Sequence, residues 1–359
     1  MTQFSVALEG SSGPSLSYAL AAVTRNVAFY IVALASISVI SEINPWWSIV
    51  VAPFLGLAMY RLTIVMHDCV HGTLFAWPAA NRWCGVAVGA MSGIEFHAFS
   101  RLHWMHHRRT GERDDPQGAD YLLLPRSRGG VAWHLLRPLV GYNLFKIWQV
   151  ARELPGRRGR ARNLTGLMPV IGVQGCAAFA ASSALGYWWL APLPVLSAAT
   201  FGLFFSQLRG FAEHVAMPGE RPEGCVRSHR SVTVDRILLH DLNFNYHREH
   251  HLQPGVPSCR LPELHRRLVA ARPAEFALAP SMLGTIWSRL AAAKRDSLPV
   301  HESADDDAPS LLQQRLPGVP GGSRQPAPTD GGQGRRPGYR MVRRCHRSAR
   351  ARSGRSGGR

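Results

Sequence analysis

Three short stretches hold eight of the sixteen histidines. Asn243-Phe-Asn-Tyr-His-Arg-Glu-His-His251 places His247, His250 and His251 at i, i+3 and i+4. The spacing recurs in His103-Trp-Met-His-His107, and His67-Asp-Cys-Val-His71 has the i, i+4 spacing. On a helix these positions share one face, so His247, His250 and His251 can converge on a single point. One such cluster is more often a polar surface or a satisfied core site than a metal centre. Three clusters, two of them spaced identically, point to a metal centre. Neutral imidazole suits iron, zinc, copper and nickel, so the histidines leave the metal open. Eight exceed the four ligands that zinc takes, which makes two metals the economical count.

Apolar runs must position these clusters. Asn26 to Ser41 carries no charge, and neither does Ile43 to Tyr60. Each approaches the ~20 residues a spanning helix needs. The second run continues to Met66 and delivers His67 and His71 to its far end. Trp83 to Ile94 is apolar but too short to cross, which suits a re-entrant or interfacial helix leading into the second cluster. His97 stands just before that cluster with nothing to fix it as a ligand. Asn163 to Leu208 has no charged side chain, and Gly186, Pro192 and Pro194 divide it into two further spans. The segments joining each pair of spans lack Lys and Arg, whereas residues 101 to 162 hold twelve arginines and Lys146. That asymmetry puts both termini and all three clusters on the cytoplasmic side.

The net charge is +18, and all but two of the 41 basic residues are arginines. Residues 302 to 359 carry twelve arginines and five acidic residues in a Gly/Pro-rich run, a composition that predicts disorder. We expect a solvated appendage there and no nucleic-acid partner. The six cysteines show no C-x-x-C spacing, which argues for reduced thiols. Residues 1 to 20 lack the charged start of a secretory signal.

The order and spelling of the clusters resemble the membrane fatty acid desaturase family, with its pattern HxxxH, HxxHH and HxxHH or QxxHH. His103 to Pro116 (HWMHHRRTGERDDP) resembles the family's second box with its acidic-proline extension. Asn245 to Pro257 (NYHREHHLQPGVP), followed by Leu261-Pro-Glu-Leu-His265, resembles its third box, and Arg209 to His214 (RGFAEH) the segment before it. The resemblance covers roughly residues 20 to 270. It implies two irons that activate O2 and abstract hydrogen from an unactivated C–H bond, with His214 as an added ligand. The implied metal set is His67, His71, His103, His106, His107, His214, His247, His250 and His251.

The expected fold is therefore all-α and integral to the cell membrane, with residues 1–300 as the desaturase domain. Four transmembrane helices in two hairpins (about 24–41, 46–66, 164–185 and 187–208) and an interfacial segment at 83–95 carry a cytoplasmic helical cap with a di-iron site. Residues 301–359 form the tail. The expected reaction is oxygen-dependent desaturation of a fatty-acyl lipid. No Gly-rich dinucleotide motif and no cysteine-ligated cluster occurs, so electrons come from a separate donor such as a ferredoxin with its reductase. Asp68, Asp114, Asp115 and Glu249 are the carboxylates available to orient imidazoles. Asn243 and Asn245 suit either a metal-bound water or a turn. Related histidine-box proteins hydroxylate or ketolate lipids and carotenoids, which is the alternative chemistry. A metal transporter is the remote one, because its ligands would lie near the bilayer midplane within repeated halves.

Overall fold

The computed structural model describes residues 13–293, apart from 123, 126, 143–156, 184–186, 218–219 and 221–224. Residues 1–298 form one compact unit, and the expected tail at 301–359 lies outside the described residues. Among the described residues there is no strand; an isolated bridge pairs His229 with Ala279.

Helix α1 (Leu16–Ile43) starts at Ser15, whose hydroxyl accepts from the Tyr18 N–H at 3.4 Å. It stops at Asn44, whose extended backbone leads into a turn opened by Pro45. Helix α2 (Ser48–His71) follows and ends at Gly72, which takes φ +70°. A left-handed cap favours glycine, and it makes His71 the last helical residue. Arg61 Nε donates to Asn26 Oδ1 at 3.0 Å, and Ser48 Oγ to the Ile37 carbonyl at 3.3 Å, tying α2 to α1 at two levels. Helix α3 (Pro78–Met91) is the short apolar element before the second histidine cluster. The cluster itself rides on α4 (Phe96–Arg109), whose N-terminus is capped by Glu95 through the His97 N–H at 2.9 Å.

Helix α5 (Arg128–Leu136) precedes the long α6 (Arg157–Ser183). Helix α7 (Trp188–His214) contains a π turn over Ala198–Gly202 and ends on His214. Short helices α8 (Thr233–Leu238) and α9 (His247–Leu252) precede α10 (Leu261–Ala271) and α11 (Met282–Ala292).

Four helical stretches are long and apolar enough to cross a membrane: Leu16–Ile43, Pro45–His71, Thr165–Ser182 and Trp188–His214. Three reach further than the charge-free runs in the sequence, because the helices accommodate Arg25, Arg61 and Arg209. Arg25 and Arg61 bond Asp241, and Arg209 bonds Glu213, so none interrupts its helix. The outer surface of these helices exposes Ile31, Val32, Phe54, Ile171 and Phe179, as a lipid-facing belt requires. Trp46 and Trp189 pack at 5.0 Å between centroids at the ends remote from the histidines, the depth at which indoles favour a bilayer interface.

One apolar core runs along α1 and α2, with Leu55, Met59, Leu62 and Met66 buried, and extends to Phe244 and Leu261. A smaller one gathers Val131, Leu135, Phe211, Leu239, Met282 and Ile286, so α5 and α11 grip the histidine-bearing end of α7.

Candidate metal centre

The structure gathers the nine histidines into two groups. His67, His71, His103, His107 and His250 form one, and His106, His214, His247 and His251 the other. Within each group, one ring nitrogen per residue lies within 4.8 Å of every other. The groups adjoin, since the His107 and His251 rings stack at 4.1 Å between centroids. Convergence of His247, His250 and His251 on one point, the reading from spacing alone, is corrected here. His247 and His251 share a group, while His250 belongs to its neighbour; likewise His103 and His107 part from His106. On a helix the i+3 and i+4 positions lie about 100° apart, so they straddle the face and serve two points. His97 is exposed and lies outside both groups.

Loop geometry delivers the third cluster. Leu242 and Asn243 take φ +51° and +59°, a left-handed pair that disfavours Leu. The turn persists because its preceding residue, Asp241, is held by Arg25, Asn26 and Arg61 from the spans. Asn243 Nδ2 donates to the Ser258 carbonyl at 3.2 Å, and Asn245 Nδ2 to the His229 carbonyl at 3.0 Å. Both asparagines therefore fix the turn. Phe244 then places its ring edge-on to His67 and His250, at 4.5 and 5.0 Å.

The ring nitrogens face one another. His71 Nε2 lies 2.8 Å from His103 Nε2, which is 2.9 Å from His107 Nε2, and His214 Nε2 lies 3.0 Å from His247 Nε2. Two nitrogens bound at right angles to one metal at ~2.1 Å would stand ~3.0 Å apart. Several buried nitrogens have no protein partner: both of His67, Nδ1 of His71, His103, His107 and His247, and Nε2 of His106, His250 and His251. Burying an unpaired polar atom costs about 1–3 kcal/mol. Such a concentration in one place fits metal coordination, and the all-imidazole donor set fits a first-row transition metal.

Burial, reinforced by neighbouring imidazoles, holds His103, His247, His250 and His251 well below the ordinary histidine pKa, and His107 at about 3. These rings are neutral at pH 7, the form that binds metals. Of the four carboxylates flagged by sequence, only Asp115 reaches a clustered histidine. Its two oxygens accept from His106 Nδ1, each at 3.0 Å, leaving Nε2 to face the second group. Burial would raise the Asp115 pKa, but hydrogen bonds from His106, Tyr121 and the Gln117 N–H outweigh it and hold the carboxyl below its usual range. His214 Nδ1 donates to the Cys225 carbonyl at 3.1 Å, which likewise fixes its tautomer.

The other three carboxylates serve elsewhere. Asp114 pairs with Arg109 at the surface, Asp68 accepts from Thr73 and Ser258, and Glu249 accepts from His265 and Ser228. Two contributors escape sequence reasoning. Tyr121 donates to Asp115, and Glu213, buried in an ion pair with Arg209 at 2.7 Å, brings Oε2 within 3.4 Å of His247 Nε2. Glu213 had a signal in its adjacency to His214; Tyr121 had none.

Residues 44–279 match the family described as Fatty acid desaturase, a segment that contains all nine histidines. Similar proteins include a sphingolipid delta(4)-desaturase/C4-monooxygenase of Bos taurus, 28% identical over 220 residues, which are 58% of this chain and 62% of that protein. An sn-1 acyl-lipid omega-3 desaturase (ferredoxin) of Synechocystis is 28% identical over 109 residues, 29% of each chain. A beta-carotene ketolase of Paracoccus is 30% identical over 219 residues, 59% of this chain and 77% of that one. The chain thus matches less than two thirds of the length of the first two relatives. A profile match across most of the chain, centred on the paired histidine groups, means that this protein belongs to the fatty acid desaturase family.

Proposed function

We propose that the chain is an O2-dependent desaturase that introduces a C=C bond into a fatty-acyl lipid at a two-iron centre. His67, His71, His103, His107 and His250 would hold one iron, and His106, His214, His247 and His251 the other. The observation that carries this reading is the convergence of buried, mutually facing imidazole nitrogens in two adjoining groups. The irons would supply oxygen activation and hydrogen abstraction from an unactivated C–H bond.

The chain's own residues supply position and dryness. Asp115 and the Cys225 carbonyl hold the His106 and His214 rings by their outward N–H groups. An apolar cavity of about 430 Å³ lies among α2, α6 and α7, with Tyr60, Phe99, Ile171, Ala199 and Leu203 in its wall. Phe99 stacks parallel to His103 at 5.5 Å, so an acyl chain in this cavity would end against the metal site. Such a wall binds methylenes without orienting water.

The four spans form two hairpins in the cell membrane, with the termini and a helical cap bearing the histidines on the cytoplasmic side. A ferredoxin-type donor with its reductase supplies electrons, a reading supported by the Synechocystis relative, a desaturase named for ferredoxin. A second reading, oxygen insertion as a hydroxylase or ketolase, is favoured by the Paracoccus beta-carotene ketolase. Mass-spectrometric lipid profiling of a host expressing the gene, with double-bond location, separates the two. New double bonds in acyl chains are expected. Oxygenated lipid or carotenoid without new unsaturation would replace the desaturase reading by the second, and an unchanged profile with active donor present would refute both.

A further inference from the structure

A separate cavity of about 360 Å³ lies beside the N-terminal half of α1 and the histidine-bearing half of α2. Its wall includes Arg25, Phe29, Arg61, Arg236, Ile237 and Asp241. Three guanidinium groups thus face one carboxylate, a surplus of two positive charges. That carboxylate is saturated: Asp241 accepts from Arg25, Asn26, Arg61 and the Leu242 N–H. Arg61 is also spent, on Asn26, Asp241 and the carbonyls of Arg236 and Ile237. Arg236 has no carboxylate partner among the described residues, and Arg25 is 53% exposed. The charge available to a ligand therefore sits on Arg25 and Arg236.

The cavity's surroundings name the ligand. Helix α8 exposes Val234 and Ile237 next to Arg236, Val232 is exposed just before it, and α1 exposes Leu20, Ile31 and Val32 on either side of Arg25 in sequence. Aliphatic surface beside arginine heads is the arrangement of a segment lying where hydrocarbon meets headgroups. Guanidinium pairs phosphate oxygens bidentately, and juxtamembrane arginines favour anionic lipids. We propose that this cavity binds the phosphate headgroup of an anionic phospholipid, whose chains lie along the exposed aliphatic face of α1. Because Asp241 precedes the turn that delivers Phe244 and His247, the lipid would brace the loop behind the metal centre.

The test is native mass spectrometry of the detergent-purified full chain, titrated with phosphatidylglycerol or with phosphatidylcholine of the same acyl chains. Phosphatidylglycerol is expected to bind about tenfold more tightly. Arg236→Gln should weaken it about fivefold, the equivalent of one juxtamembrane charge, without changing phosphatidylcholine binding. Arg236→Lys should restore most of the loss. Among the described residues the Arg236 side chain makes no hydrogen bond or ion pair, so the variant reports on the site, and it leaves the arginine-rich residues 302–359 untouched. Equal affinity for the two lipids, or undiminished phosphatidylglycerol binding by Arg236→Gln, would overturn the proposal. So would millimolar inorganic phosphate displacing the lipid, which would assign the cavity to a soluble phosphate compound instead.

Discussion

At the scale of residues, each HxxHH cluster serves two points because its members straddle a helix face. His106 and His250 are the members that cross to the opposite group from their neighbours. Replacing either by Ala should cut product yield by more than the about 10–100-fold expected for a mere supporting group. Expression level and thermal unfolding should stay close to the parent, since apolar packing holds the spans. His134→Ala is the control: His134 Nε2 bonds the Asp120 carbonyl at 2.8 Å, away from both groups, so metal content should not change. Asp115→Asn keeps the shape but alters the partner of His106 Nδ1, and should lower metal affinity about 10–100-fold, measured by chelator competition. An unaltered affinity would show that Asp115 serves folding alone. The histidines were legible because spacing on a helix is a local property. Which carboxylate supports them was not, because Asp114 and Asp115 are neighbours in sequence and part only when Tyr121 and two backbone N–H groups close around the second.

At the scale of elements, α2 must approach α7 closely for the group that holds His67 and His71 to adjoin the group that holds His214. Gly56 permits this. A Cβ there would collide with Phe201 Cβ and stand 2.7 Å from the Ser197 carbonyl oxygen, at the mouth of the π turn. Gly56→Ala should therefore cost about 1–3 kcal/mol, read as a lower midpoint of thermal unfolding in detergent. It should also loosen metal retention, because the contact sets the distance between the two helices. An unchanged midpoint would mean that the π turn yields freely. Apolar runs revealed the existence of the four long helices, since bilayer length is written in composition. The far end of the fourth was not revealed, because Arg209, which a charge count treats as a stop, finds a buried partner one turn later in Glu213 and the helix continues to His214.

At the scale of the molecule, the family is shown by the chain, while reaction and donor are proposals that rest on the site. Arginine-rich segments on the histidine side would steer an acidic donor, and exposed charges are screened over ~8–10 Å at moderate salt. Turnover with a ferredoxin at sub-saturating concentration should accordingly fall as salt rises; an unchanged donor-saturation curve would remove electrostatic docking from the account. The most direct test of the central claim is the metal content of the purified full chain, by elemental mass spectrometry against quantitative amino-acid analysis. Two adjoining groups of five and four histidines predict about two irons per chain. One zinc per chain and no iron would contradict it.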